Sequence, residues 1–233
     1  MANTGRKRNT AALVIPDYAV RMAILDFEEF PQGEDERTAL VRFRLRKSVP
    51  FHIDEAQVAY SIQVSEPKRI EVFAVAIARP ILLEYEALFT EAGFRLGLVT
   101  PSSIAALPLY AESGSGITLV AKLAGTTLSM LLIEERRIRL IRSLNLHAEH
   151  EDGVSHADSD LLDGLQQTLA FAEDQIGERV KRLLLCGFGH QAEYLGRMAE
   201  NELKVPYAVV RSRFGVAAQE NAGLLGLLEE YAA

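Results

Sequence analysis

The sequence predicts an α/β protein of two halves, each with a mixed sheet covered by helices. Three observations lead to this prediction. Residues 117–144 contain three strand-like segments joined by tight turns. Helices and strands alternate after residue 160. The chain has 233 residues and is 48% hydrophobic, which is enough apolar material for a sizeable core.

Composition narrows the classes of function. The net charge of −7 argues against a nucleic-acid-binding protein that relies on general attraction to phosphates. The single cysteine, Cys186, excludes an internal disulfide and fits a reducing compartment. We interpret it as a small apolar residue in a buried strand rather than as a reactive thiol. The longest uncharged apolar run, 72–78, is far shorter than the roughly 20 residues that span a bilayer, so we expect a cytoplasmic chain.

In the first half, alternating apolar residues predict strands. The predicted strands are 11–15, 20–27, 56–63, 70–78 and 95–99. The run 70–78 is almost continuously apolar, which is typical of a central strand. The segment Glu66-Pro67-Lys68 is expected to form the turn before it.

Residues 38–48 fit two kinds of secondary structure. Val41, Phe43 and Leu45 alternate with arginines, as in a strand, whereas the four-residue spacing of Val41 and Leu45 is that of a helix. We favour the helix, which Val49-Pro50 ends because the residue before a proline avoids the helical region.

A second helix is predicted from 80 to about 92, with Gly93 as its left-handed cap. Its predicted buried face consists of Leu82, Leu83, Leu88 and Phe89. Farther along, Ser102 or Ser103 is expected to cap a short helix that Pro108 limits.

The second half has a clearer pattern. The predicted strands are 117–123, 128–133, 138–144, 182–186 and 207–210, and the predicted helices are 160–176, 191–203 and 216–228. Three antiparallel strands followed by alternating helices and strands are typical of a ribonuclease-H-like unit. The small polar stretch 112–116 divides the chain into 1–112 and 113–233, and an inserted subdomain is predicted at about 28–78.

The first half resembles the later part of another ribonuclease-H-like unit, because no three-stranded meander precedes its strand-to-helix elements. A sheet without this leading part has an open edge, which another chain, the arm formed by residues 2–10, or charged edge residues must cover. We therefore expect the strand near 13–15 to pair with a second copy in a homodimer, or with another partner.

Two glycine turns suggest contacts to a phosphate. Gly187-Phe188-Gly189 follows a buried strand, where glycines let the backbone approach a ligand closely. Gly125-Thr126-Thr127 offers amide and hydroxyl donors. The alternative for the first is a tight strand-to-helix turn, and for the second a simple hairpin turn.

Two polar clusters have similar alternatives. The histidines His147, His150 and His156 are suitable metal ligands, but they lie in a polar segment that fits a solvated loop better. The basic run 42–47 can meet acidic lipid headgroups or an acidic partner. It also fits a solvated helix face that the acidic residues of 28–36 balance.

The order of the motifs along the chain resembles the type IV pilus assembly protein PilM family. The similar segments are 13–17, Phe27, 40–51, Tyr85, 92–94, 98–99, the hairpins from Ile117, 186–189 and 222–224. The resemblance covers nearly the whole chain and corresponds to the later two-thirds of the family's chains.

This resemblance implies an actin-like fold, in which two ribonuclease-H-like halves clasp a nucleotide between glycine-bearing hairpins. Here the first half is incomplete and lacks a counterpart of the first phosphate hairpin. Where the family has aspartate-x-glycine in the second hairpin, this chain has Lys122-Leu123-Ala124. A lysine can pair with a phosphate as a point charge, but it cannot coordinate a cation.

By resemblance, the nucleotide-binding positions are vestigial, and we expect no metal ligand, no catalytic residue and no cofactor. These positions are Lys122, Gly125, Thr126, Thr127, Gly187, Phe188 and Gly189. No nucleophile is paired with a base at a recognisable spacing either.

The resemblance implies a non-catalytic cytosolic scaffold of the type IV pilus inner-membrane platform, peripheral to the membrane, that docks the cytoplasmic tail of a PilN-like protein. In the family this tail enters a groove beside the inserted subdomain, which places the partner surface around Phe43, Lys47, Pro50 and Phe51. One alternative is an ATPase that binds ATP and Mg²⁺, whose first hairpin comes from upstream sequence or another subunit. The other alternative is a homologue that uses the same fold in cell division or in type II secretion.

Overall fold

The computed structural model of the chain describes residues 9–110, 116–146 and 157–231. The three histidines and most of the predicted boundary, 112–115, lie outside these residues. Within the described residues, no helix is long and apolar enough to cross a bilayer.

The order of secondary structure follows the predicted order closely. The strands are β1 (Thr10–Ile15), β2 (Arg21–Phe27), β3 (Ala56–Glu66), β4 (Arg69–Ala78), β5 (Arg95–Pro101), β6 (Ile117–Ala124), β7 (Thr127–Glu134), β8 (Arg137–Asn145), β9 (Val180–Cys186), β10 (Tyr207–Val209), β11 (Arg211–Ser212) and β12 (Gly215–Val216). The helices are α1 (Glu34–Leu45), α2 (Arg79–Glu91), α3 (Ser102–Ala105), α4 (Ala157–Phe171), α5 (Ala192–Leu203) and α6 (Ala222–Tyr231).

The second half is a five-stranded mixed sheet in the order β10-β9-β6-β7-β8. Strands β6, β7 and β8 pair antiparallel, and β9 pairs parallel with β6 and β10. Alternating side chains of β6 enter two different cores. Leu119 and Ala121 pack in the core that contains residues of α4 and α5, and Val120 packs in the core that contains residues of α6. This is the predicted ribonuclease-H-like layout.

The inserted subdomain is an antiparallel sheet in the order β2-β4-β3, with α1 packed against one face. Val41 and Leu45 of α1 are fully buried, and Phe43 is 69% exposed, which confirms the helix rather than the strand in this segment. Strand β2 pairs with β4 along its whole length, so this sheet begins at Arg21 and includes residues before the predicted start at about 28.

The remainder of the first half is a two-stranded parallel sheet, β1-β5, with α2 on one face. The predicted buried face of α2 is wrong in part, since Leu83 is 51% and Leu88 is 64% exposed. The predicted Leu82 and Phe89 do pack in the core of this part, together with Tyr85, which was not predicted. These residues lie three and four positions apart and form one stripe of the helix, which packs in a cluster that includes Ile15 of β1 and Ile77 of β4.

The last helix also differs from the prediction, because α6 begins at Ala222 and not at 216. Residues 211–216 form the small hairpin β11-β12, whose turn is 213–214, and Gly215 directly after the turn has a φ of 140°. The side chain of Asn221 then accepts a hydrogen bond from the Ala218 amide just before the helix starts.

Helices α3 and α6 bring the two halves into contact. A Cβ added at Gly226 would lie 2.0 Å from the carbonyl oxygen of Ala105, so only a glycine permits this spacing. The predicted serine cap of α3 is wrong, since Pro101 occupies the cap position without a side-chain hydrogen bond. The Ser103 amide instead donates to the side chain of Asp17.

Candidate functional site

A buried ion pair joins the two halves. Lys122 lies in the middle of the second sheet and is fully buried, and Asp17 follows β1 and is 4% exposed. The Nζ atom of Lys122 lies 3.3 Å from Oδ2 of Asp17. A buried charge without a partner is strongly destabilising. Each residue of the pair therefore stabilises the buried charge of the other.

Three further hydrogen bonds hold the carboxylate of Asp17. The amide of Ser103 donates to Oδ1 at 2.8 Å, and its hydroxyl donates to Oδ2 at 2.5 Å. The hydroxyl of Ser129, which is the partner of Lys122 across strands β6 and β7, donates to Oδ2 at 2.9 Å. Asp17 therefore caps the first turn of α3 and accepts bonds from both halves, which fixes their relative position.

The hairpin β6-β7 brings several of the implied nucleotide-binding residues close together, but their polar groups have partners within the chain. The ammonium of Lys122 contacts Asp17. The Gly125 amide donates to Oε1 of Gln219 at 3.0 Å, and the Thr127 hydroxyl donates to Oδ1 of Asn145 at 3.3 Å. Thr126 is exposed.

The second glycine turn packs against the same hairpin. Gly187 has a φ of 85°, and a Cβ added there would lie 2.3 Å from the carbonyl oxygen of Leu123. Phe188 is buried in the core beneath α5. Gly189 is exposed and begins the turn that leads into α5. The geometry matches the alternative of a tight strand-to-helix turn.

Tyr110 and Cys186 lie beside the ion pair as uncharged neighbours. Burial raises the pKa of the Tyr110 hydroxyl well above its ordinary value, and its contact with Cys186 raises it further. Burial also raises the pKa of the Cys186 thiol, although Tyr110 and Lys122 partly oppose this effect. The thiol is buried and protonated, as expected of a residue with a packing role.

No pattern in the sequence assigns Asp17, Ser103 and Ser129 to a common site. Asp17 and Lys122 are 105 positions apart, and they meet only when the halves pack together. One local signal was present, since Asp17 and Pro16 follow a strand without charged residues.

A second polar contact attaches the inserted subdomain to the edge strand β8. Arg137 binds Glu71 of β4 through two of its nitrogens, with Nε 3.0 Å from Oε2. Arg69 also donates to Glu71, at 3.0 Å. The side-chain amide of Gln63 exchanges two hydrogen bonds with the backbone of Ile138, at 2.9 and 2.8 Å. This contact covers the open edge of β8 at Ile138.

Acid should weaken this second contact. Burial pushes the pKa of the Glu71 carboxyl up, but hydrogen bonds from Arg137 and Arg69 outweigh burial, so the pKa lies below its ordinary value of 4.5. Glu71 therefore stabilises the fold above the unfolded pKa, and this contribution is lost as pH falls through the lower folded pKa.

We expect Glu71→Gln to lower the free energy of unfolding by about 1–3 kcal/mol at pH about 6, with a smaller difference from the native chain at pH about 3.5. Urea unfolding at both pH values measures this. Glu66→Gln, at a carboxylate that is 62% exposed, is the control and should change little. An equal loss for Glu71→Gln at both pH values would contradict the prediction.

The basic run on α1 has partners within the subdomain. Arg42 donates to the carbonyl of Ile53 at 2.7 Å, and Arg44 donates to the carbonyl of Asp26 at 2.9 Å. Arg46 pairs with Asp54 at 3.2 Å, rather than with the acidic residues of 28–36. Two of the arginines thus tie α1 to the backbone of the subdomain.

An open groove of about 680 Å³ lies where helix α2 meets the inserted subdomain and the turn after β1. It is lined by Tyr18, Ala19, Val20, Arg21, Pro50, Phe51, Ala78, Ile81, Glu84, Tyr85 and Leu88. Of the four residues predicted to bind a partner, Pro50 and Phe51 line the groove, whereas Phe43 and Lys47 are exposed residues outside its lining. The contribution of α2 was not predicted, because Leu88 was assigned to the core.

Neither a protein-family model nor a curated protein matches the sequence. Solved structures do match. The PilM-PilN type IV pilus biogenesis complex is similar with a TM-score of 0.75 and 18% identity, over 97% of this chain and 78% of that chain.

Two further structures are similar. A Bacteroides thetaiotaomicron protein with an actin-like ATPase fold and unknown function has a TM-score of 0.57 and 14% identity, over 92% of this chain and 72% of that chain. The cytoplasmic domain of EpsL, an inner membrane component of the type II secretion system of Vibrio cholerae, has a TM-score of 0.52 and 11% identity, over 97% of this chain and 76% of that chain. At these identities the similarity shows the fold. The chain has the actin-like ATPase fold, which confirms the predicted fold class and, at the level of fold, the resemblance to PilM.

Proposed function

We propose that this protein is a non-catalytic cytoplasmic scaffold of a type IV pilus assembly platform, which docks the cytoplasmic tail of a PilN-like membrane protein. The observation that carries this proposal is the apolar groove between α2 and the inserted subdomain. It occurs in a chain whose fold is similar to that of a structure described as a PilM-PilN complex.

The groove has the chemistry of a peptide site. Tyr18 and Leu88 are each 64% exposed, and Ile81 is 39% exposed, so a bound chain would cover large apolar side chains. Arg21 and Glu84 provide polar groups in the same lining. An extended peptide with apolar side chains fits this combination of an apolar floor and a few polar contacts.

The junction between the halves supports the non-catalytic part of the proposal. A metal-assisted hydrolysis needs a carboxylate that can bind a cation or orient water. The carboxylate of Asp17 already accepts bonds from Ser103 and Ser129 and faces the ammonium of Lys122. The same ion pair fixes the turn that carries Tyr18 into the groove, so the junction serves the docking surface.

Leu88→Glu should weaken binding of a PilN-like tail peptide at least about thirtyfold, because it places a charge on the apolar floor. Leu83→Glu is the matched control, since Leu83 is an exposed leucine of the same helix outside the groove lining, and it should bind normally. Calorimetric titration of the full chain with the peptide measures both. Equal affinities for the two variants, or no binding by the native chain, would contradict the proposed docking site.

The similarity to the cytoplasmic domain of EpsL favours a second candidate function, an equivalent role in a type II secretion system. Titration with the cytoplasmic segments of inner-membrane proteins from both systems separates the candidates. Tighter binding of the pilus segment supports the first, and tighter binding of the secretion segment supports the second.

A further inference from the structure

Strand β1 has an open edge. It pairs in parallel with β5, and within the described residues these two strands form a sheet by themselves. Parallel sheets normally have more strands. The second edge of β1, over residues 11–15, therefore offers backbone donors and acceptors to an added strand.

The sequence of this strand favours such pairing. Thr10–Ile15 reads TAALVI and contains no charge and no proline. Exposed edge strands usually carry lysine or proline residues, which prevent pairing with another chain. Short uncharged segments of high β-propensity readily pair with copies of themselves.

An apolar stripe on α6 begins next to this strand. A Cβ added at Gly223 would lie 2.7 Å from Cγ1 of Val14, so the start of α6 packs directly on β1. The next residue, Leu224, is 50% exposed, and Leu228 and Tyr231 are 44% and 74% exposed. Their spacing of four and three residues places them on one side of the helix.

We infer that the open edge of β1 and this α6 stripe together form the contact between two copies of the chain. The two β1 strands pair antiparallel about a twofold axis perpendicular to the sheet. This gives a four-stranded sheet in the order β5-β1-β1-β5, and both α6 stripes lie on the same face of it. Such a contact is isologous, because each copy contributes the same surface.

Charge favours a second copy over a charged partner. Each chain has a net charge of −7, so two copies approach most easily through a neutral surface. Neither β1 nor the stripe contributes a charged side chain, and a basic or acidic partner would find no complement in them. The dimer goes beyond the proposed function, because the residues of β1 and α6 are separate from the lining of the peptide groove.

Sedimentation of the full chain over a range of concentrations tests this inference. We expect a reversible dimer, and we expect Leu224→Glu and Ala12→Lys each to weaken it at least about tenfold. Tyr194→Glu is the control, because it puts the same charge on a side chain of α5 that is 62% exposed, and it should dimerise normally. Hydrogen exchange of the amides in 11–15 should slow as the dimer forms.

Thermal unfolding of each variant shows whether it is folded, and Leu224→Glu decides the outcome if Ala12→Lys does not fold. A native chain that stays monomeric at the highest attainable concentration would overturn the inference. A dimer that Leu224→Glu leaves intact, with exchange in 11–15 independent of concentration, would also overturn it.

Discussion

Replacing Lys122 with methionine should lower the free energy of unfolding by about 3–5 kcal/mol, the usual cost of leaving one partner of a buried ion pair without the other. The carboxylate of Asp17 would remain buried between the halves and lose its only cationic contact among the described residues. For a chain of this size, the loss corresponds to a fall in Tm of about 6–20 °C, which calorimetry or circular dichroism can measure.

Lys181→Met provides the control, because Lys181 is exposed on β9 and its replacement should change stability by less than about 0.5 kcal/mol. Asp17→Asn should also be destabilising, since it leaves the lysine without a counter-charge. The two residues are coupled, so their effects should not add. The double variant should lose less free energy of unfolding than the sum of the two single losses, by about 1–3 kcal/mol. Additive losses would show that the pair does not stabilise the junction.

Gly226→Ala should destabilise the fold by about 2–3 kcal/mol, even though alanine favours helices by about 1 kcal/mol over glycine. The new Cβ would lie 2.0 Å from the Ala105 carbonyl oxygen and 2.7 Å from the Ala106 Cα atom. Both are backbone atoms that cannot rotate away, so α3 and α6 must separate. Denaturant unfolding measures the loss.

Gly164→Ala is the matched control in another helix. Its Cβ would lie 2.7 Å from a methyl group of Leu144, the far end of a flexible side chain that can move. The greater helix propensity of alanine should then leave this variant within about 1 kcal/mol of the native chain. Equal effects of the two substitutions would show that the close approach of α3 and α6 does not limit stability.

Local patterns predicted the fold well. Strand-like segments joined by tight turns in 117–144 marked three antiparallel strands, and the four-residue spacing of Val41 and Leu45 identified a helix where an alternating pattern competed with it. Apart from the start of α6, the errors concern tertiary contacts. Leu88 was assigned to the core, but it lines a groove. The periodicity of α2 shows that a residue is on an apolar side of the helix, and it does not show which of these residues the neighbouring strands cover.

The sequence indicated only one of the two charged residues of the candidate site. The resemblance to PilM drew attention to Lys122, because a cation stands where the family has an acid. The acid that pairs with Lys122 is Asp17, which comes from the other half of the molecule. Pairing over such a sequence separation depends on how the halves pack, and this information is absent from local propensity and spacing.

Calorimetric titration of the full chain with magnesium-ATP tests most directly whether the junction excludes a working nucleotide site. The ion pair of Lys122 and Asp17, together with the hydrogen bond that the Gly125 amide donates to Gln219, predicts no saturable heat and no phosphate release above background. Saturable binding with micromolar affinity, or steady release of phosphate by the purified protein, would contradict a purely docking role.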